Sequence, residues 1–417
     1  MVIKKYDISI ISSLIAILPI SILLGSSISL LNVILINFLV IRFFFEKKFY
    51  KLTNHLVFKI LFFIYIYLVF NLFVAENFSV SFSRNVGFIR FLGLFILINY
   101  LFYKNNFSLK IFYIWTFVIL FTTIDIFVEY YFGSNIFGWG STEPHAARVV
   151  SFFKDEPVAG AYLYGFILII FGFLLDKFKD KKIIAFIVLF IGFIAVFITG
   201  ERSNTIKLFF GIILMFFFLD FFKLKIKIIV LTFIISFFIF FVNQSNYLKN
   251  RYIGQLLSNF DSLEKFNDFK ERDIYFKHYK SGIAVFKKNI FFGVGNKNYR
   301  VETCKNYNTN SNYICTTHPH QIYLEFLSEH GLFGSIIVLG LIFYLIFKVI
   351  KNIHIQRNYT QIGALTFLVT VFTPVLPSGS FFSDFNATIF WLNFSIMYAI
   401  CKNTNIFYNR LNIDFKS

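Results

Sequence analysis

With 417 residues, 57% hydrophobic and 15% charged, and a mean hydropathy of +0.70, the chain has more apolar surface than a soluble fold can bury. That excludes an ordinary soluble enzyme and implies an all-α, polytopic membrane protein. The formal charge of +18 would suit nucleic acid, but the basic residues gather in short connectors between apolar runs, the pattern of cytoplasmic loops, so no nucleic-acid partner is expected.

In chain order, apolar runs of bilayer length fall near 8–25, 28–45, 56–74, 86–103, 111–132, 158–175, 183–199, 205–222 and 226–243, then near 332–350, 360–376 and 387–401. Each is long enough to cross once, which predicts about 12 transmembrane helices with both ends cytoplasmic. Residues 1–243 then hold membrane helices 1–9 with a short outer loop at 133–157, and 244–320 form a large outer loop. Residues 321–401 supply an interfacial helix and membrane helices 10–12, and 402–417 a cytoplasmic tail. The lysines of the large loop do not upset this topology, because long translocated loops largely escape the charge rule. No small-x-small cleavage site follows the first apolar run, so it is expected to stay as a helix. The 65 phenylalanines accompany abundant Ile, Lys and Asn, the bias of an AT-rich coding sequence, and are not read as a binding device.

Cys304 and Cys315 lie in the large outer loop, and Cys401 at the inner end of the last span. Two readings stay open for the first pair. One is a disulfide that staples the loop in an oxidising compartment. The other is a zinc site of the form Cys-x10-Cys-x2-His-x-His, although zinc sites usually bring cysteines two to four residues apart.

The residues after that loop carry the densest chemistry, from His318-Pro319-His320-Gln321 to Gly331-Leu332-Phe333-Gly334. Pro319 is expected to open a helix at its first position, with His320 in the first turn. Gln321, Glu325, Ser328 and Glu329 then share a polar face. His320 projects to the apolar side, where desolvation favours the neutral imidazole able to accept a proton. Gly331 ends that helix. His318 and Gln321 are supporting residues.

Arginine captures phosphate with two parallel hydrogen bonds, and five arginines are placed for it on the outer side. Arg202 sits in Thr199-Gly200-Glu201-Arg202-Ser203-Asn204, with Glu201 as an adjacent partner. Arg148 precedes Ser151-Phe152-Phe153-Lys154-Asp155-Glu156-Pro157, Arg272 lies in the large loop, and Arg84 and Arg90 lie at the outer end of the fourth span. Asp125 and Glu129, at the outer end of the fifth span, either pair with an arginine or face water. No Walker A sequence occurs, Gly293-Val294-Gly295 lacks the third glycine of a dinucleotide loop, and no Asp-x-Asp is present, so neither nucleotide, cofactor nor metal is called for.

The histidine segment resembles the signature of the bacterial O-antigen ligases and the related O-antigen polymerases. That signature is His, then Asn, Ser or Gln, nine residues, Gly, two residues, and Gly, Thr or Tyr; His320-Gln321, Gly331 and Gly334 fit it. Phe152–Gly160, Gly200-Glu201-Arg202-Ser203 and Phe292-Gly293-Val294-Gly295 look like further family segments, and the likeness spans roughly 80–350. The resemblance implies a bundle of about twelve spans with a large periplasmic loop in the bacterial inner membrane. It implies a metal-independent glycosyltransferase of lipopolysaccharide biosynthesis, with its site facing the periplasm. The donor would be an undecaprenyl-diphosphate-linked glycan and the acceptor lipid A-core or another glycan. His320 would be the catalytic residue, with Arg202 and Arg272, then Arg148, on the diphosphate. A polymerase using the same donor is the nearest alternative. A lipid or polysaccharide transporter is a more distant one, since no inverted repeat is visible.

Overall fold

Apolar stretches punctuated by lysine clusters, Gly and Pro give helices rather than strands, and the computed structural model contains no strand among the described residues, which are 5–41, 52–104, 108–140, 148–154, 156–244, 246–254, 273–306 and 308–408. The helices are α1 (Lys5–Ala16), α2 (Leu18–Leu23), α3 (Ser26–Val40), α4 (Leu56–Asn71), α5 (Phe78–Gly87), α6 (Ile89–Lys104), α7 (Ser108–Phe132), α8 (Ala159–Lys177), α9 (Ile183–Ile198), α10 (Arg202–Phe218) and α11 (Leu224–Gln244). After them come α12 (Ile274–Lys288), α13 (Tyr299–Lys305), α14 (Ile322–Gln356), α15 (Tyr359–Val371) and α16 (Asp384–Ala399).

Among the described residues, four helices are long and apolar enough to cross a membrane: Phe78–Lys104, Lys110–Phe132, Ala159–Lys177 and Ile322–Ile353. Shorter apolar helices accompany them, including Ser26–Val40, Leu56–Asn71, Ile183–Ile198 and Tyr359–Val371. The run expected at 8–25 is two helices, because Pro19 at the start of α2 has no N–H to continue the ladder of α1.

The hub is α8, whose apolar window is 89% buried, and α15, α9, α7 and α10 pack around it. Gly172 of α8 lies against the Tyr359 carbonyl and Gly363 of α15 against the Leu168 carbonyl, so the two backbones touch where small residues permit it. On another side, Phe88, Phe91 and Phe95 of the α5–α6 arm stack on Trp391 and Phe394 of α16. Large apolar side chains also cover the outside: Phe62, Phe63 and Ile66 on α4, Phe117 and Ile124 on α7, and Ile229, Phe233 and Phe240 on α11. Such a surface is stable against lipid tails and not against water.

The stretch that opens α14 was expected to lie on the membrane interface. Instead Glu325, Phe326, Ser328, Glu329 and His330 are buried within the protein, and the polar face turns inward. The Glu325 carboxylate accepts from Ser380 Oγ at 2.5 Å and from the Phe381 amide at 2.8 Å, so its desolvation is met by donors on the loop before α16. At Gly331 the helix breaks, with φ +65° and ψ −170°. There the chain crosses the segment Phe291–Gly295, and the crossing is stitched by backbone bonds from Val294 to Ser328, Gly295 to Glu329 and Leu332 to Ile290.

Both glycines at the crossing are obligatory. A Cβ on Gly331 would meet the backbone of Phe291 and Phe292, and one on Gly293, at φ +69°, the backbone of Glu329 and His330. Gly331→Ala is therefore expected to cost roughly 1–3 kcal/mol from backbone conformation alone, with the steric conflict added. Thermal unfolding of the detergent-solubilised protein checks it: a melting temperature equal to the wild type's would mean that the crossing relaxes freely.

Candidate active site

A cavity of about 760 Å³ opens among α8, α10, α12 and the loop before α16. Arg148, Glu201, Arg202, Lys207 and His320 line one part of it, and Tyr164, Phe367, Ile389 and Phe390 an apolar wall. Residues up to 242 positions apart in sequence thus share one chamber.

His320 does not stand in the first turn of a helix, as Pro319 had suggested. Helix α14 starts at Ile322, because the Gln321 side chain accepts a hydrogen bond from the Leu324 amide at 2.8 Å and so caps it. This gives the residue after the histidine a physical role: a side chain with an acceptor oxygen ends the extended segment and begins the helix. His320 itself adopts φ +52°, uncommon for a side-chain-bearing residue. Its carbonyl accepts from the Ser378 amide at 2.9 Å.

Two further histidines flank it. The ring centroids of His318 and His320 are 4.1 Å apart, and those of His278 and His320 4.5 Å. His318 is held between the Thr317 hydroxyl, 2.9 Å from its Nδ1, and the Ser378 carbonyl, 3.3 Å from its Nε2. Burial, then repulsion from His318 and His278, pushes the His320 imidazole down to about 3. It is therefore neutral throughout the physiological range, with a ring nitrogen able to take up a proton. Sequence reasoning missed His278; on α12 it looked like one polar residue among many lysines.

Cys304 and Cys315 are joined by a disulfide, which takes both sulfurs from the zinc alternative. Among the described residues no cluster of three metal-ligating side chains occurs. The bonded loop is docked on α12 by Tyr299 Oη, which donates to Ser281 Oγ at 2.6 Å, and by the Ile314 amide, which donates to the same oxygen at 3.2 Å.

Glu201 is less an ion-pair neighbour of Arg202 than a cap on α8. Its carboxylate accepts from the Gly160 amide at 2.5 Å, the Ala161 amide at 3.1 Å and Asn204 Nδ2 at 2.7 Å, which satisfies donors that the start of a helix leaves unpaired. Burial pushes this carboxyl up to about 7, against the opposing pull of these donors and of Arg148.

Arg148 is placed from the other side. Asp125 and Glu129, expected to pair with an arginine or face water, hold the backbone and a side chain of the short outer loop: Glu129 accepts from the Val150 amide at 3.0 Å and the Ser151 amide at 2.5 Å, and Asp125 from Ser151 Oγ at 2.5 Å. The Val149 amide donates to the Thr199 carbonyl at 3.3 Å. The short outer loop is thus pinned to the end of α7 and to the Thr199–Arg202 turn, with Arg148 beside Glu201.

Arg84 and Arg90 do not line the cavity. Arg90 is ion-paired with Asp384 and lies over the Phe91 ring at 4.6 Å. Arg84 donates to Ser380 Oγ at 3.4 Å, on the loop that Glu325 holds. Both arginines thus contact the segment that begins α16. Arg272 lies outside the described residues.

Residues 185–339 match the family model described as O-antigen ligase. They contain the lining residues Glu201, Arg202, Lys207 and His320, and His278 and His318 beside it, while Arg148 and the apolar wall from α8, α15 and α16 fall outside the matched region. No match to a curated protein was found.

Proposed function

On the premise that residues 185–339 belong to the O-antigen ligase family, whose activity is glycosyl transfer of the ligase and polymerase type, we propose that this protein moves a glycan from undecaprenyl diphosphate to a hydroxyl of lipid A-core. The site would face the periplasm of the bacterial inner membrane, among about twelve spans. One observation carries the reading: a neutral imidazole and two guanidiniums line one cavity that also has an apolar wall. A lipid diphosphate needs that combination, cations for its head and aliphatic or aromatic surface for its tail.

The donor already carries a good leaving group, so the protein must orient it and neutralise developing charge. Arg148 and Arg202 face the diphosphate. The acceptor oxygen attacks the anomeric carbon from the side opposite the phosphate and passes its proton to His320. The bond from that carbon to the phosphate oxygen breaks, its electron pair leaves with the lipid diphosphate, and the configuration inverts. No step calls for a divalent ion. Transfer from a lipid-linked donor in liposomes tests the proposal; no product from purified wild type with donor and lipid A-core would overturn it.

A polymerase would use the same donor and pass the glycan to a second lipid-linked glycan. Loss of a ligase leaves long lipid-linked polymer, whereas loss of a polymerase leaves single repeat units on lipid A-core. Accumulation in a deletion strain therefore separates the two.

Glu201 gives this site a pH dependence of definite sign. Its carboxyl sits at about 7, so lowering the pH from 8 to 6 protonates it and makes the chamber more positive, which favours the anionic donor. The donor KM is expected to fall over that interval, and Glu201→Gln to flatten the dependence at the low-pH value. A KM that varies equally in both proteins would assign the effect to another group.

A further inference from the structure

Lys207 was not singled out by its sequence, where it is one polar residue inside the apolar run after Arg202. In the structure it is 5% exposed, yet it lines the cavity. It makes no ion pair with an acid among the described residues. Burying an ammonium at membrane depth without a counter-charge is costly, and such a group in a membrane protein is retained for a ligand or for transport.

Its position along α10 is informative. Arg202 is the first residue of that helix and Lys207 the sixth, about 7.5 Å further along the axis at the α-helical rise. Ile206 precedes it, and across the chamber stand Tyr164, Phe367 and Phe390. The cavity therefore offers cations at two levels along α10, the guanidiniums of Arg202 and of Arg148, which stands beside Glu201, at one level and the Lys207 ammonium at the other. Lysine suits the second level, since its aliphatic stem packs on apolar surface while its compact charge serves a phosphate.

We propose that Lys207 binds the lipid-proximal phosphate of the diphosphate, and so holds the phosphate carried directly on the lipid tail. This rests on the reading of the cavity as a lipid-diphosphate site. The phosphate next to the sugar lies at Arg148 and Arg202, near His320, and the phosphate next to the tail lies at Lys207. A lipid monophosphate carries only the phosphate next to the tail and so meets Lys207 but not the two arginines.

Binding of undecaprenyl diphosphate and of undecaprenyl monophosphate to the full-length protein in nanodiscs tests it, with wild type, Lys207→Met and Lys207→Arg compared. Methionine keeps an unbranched stem without the charge. Wild type is expected to prefer the diphosphate by about tenfold or more, the scale of one charge-assisted contact. Lys207→Met is expected to bind both ligands about tenfold more weakly while keeping the preference for the diphosphate that the arginines confer, which also shows that it folds; Lys207→Arg is expected to keep the wild-type affinities. Should Lys207→Met bind both ligands as tightly as wild type, the lysine does not hold the lipid-proximal phosphate, and the cavity reading survives. Should wild type itself show no preference and transfer nothing, the cavity reading falls and this proposal with it.

Discussion

Replacing His320 with alanine is expected to lower transfer from a lipid-linked donor by about 10²–10⁴, the usual contribution of a positioned general base, while donor binding is nearly unchanged. The split follows from geometry: His320 is neutral and contributes no charge to the diphosphate, but no other neutral imidazole lines the cavity among the described residues. His318 and His278 stand beside it without lining the chamber, so neither substitutes directly. Single-turnover transfer in liposomes, paired with donor binding, measures both quantities. Full activity in His320→Ala would remove the imidazole from the mechanism. A second readout comes from pH: with its proton affinity lowered to about 3, His320 remains a competent base as pH falls from 7 to 5. An unperturbed imidazole, titrating near 6.5, would lose most of its activity across the same range. An acid limb near 6.5 that belongs to His320 would contradict the buried, like-charged environment described for it.

Arg202→Ala is expected to reduce transfer by about 10²–10³, as removal of a single donor to a developing oxyanion commonly does, and, unlike the histidine change, to weaken donor binding as well. A guanidinium at the start of α10 meets charge present in the bound donor and charge that grows as the phosphate leaves. Arg202→Lys is expected to restore binding more than rate, because one ammonium cannot reproduce the planar two-point contact. Equal donor binding and equal transfer in Arg202→Ala and wild type would take this residue out of the site.

Much of the site was legible before any coordinates, but unevenly. His320 stood out by its spacing to Gly331 and Gly334, and Arg202 by its place between two apolar runs. The glycines were less transparent. Gly293-Val294-Gly295, read only as too short for a dinucleotide loop and as part of a family segment, forms one side of a backbone crossing with Ser328–Gly331. Contacts of that kind join segments nearly 40 residues apart and leave no local periodicity to read. Arg84 and Arg90 resembled phosphate ligands because residue type and membrane depth were all that could be weighed. Their acceptors, Ser380 and Asp384, are almost 300 positions away.

By itself, the sequence determined that this protein is helical and membrane-bound, and it singled out a histidine and several arginines as the candidates for its chemistry. Those properties follow from local composition, since a run of apolar residues must satisfy its own backbone in lipid and a charge there is expensive wherever the chain goes next. Only the tertiary structure decided which charges face the chamber and which are spent on braces. It turned the polar face of α14 inward, set His278 against His320, gave Glu201 to the start of α8 and left Lys207 buried at the cavity wall. Each of these depends on the distance between groups far apart in sequence, and that distance fixes whether a charge is paired, capped or left for a substrate.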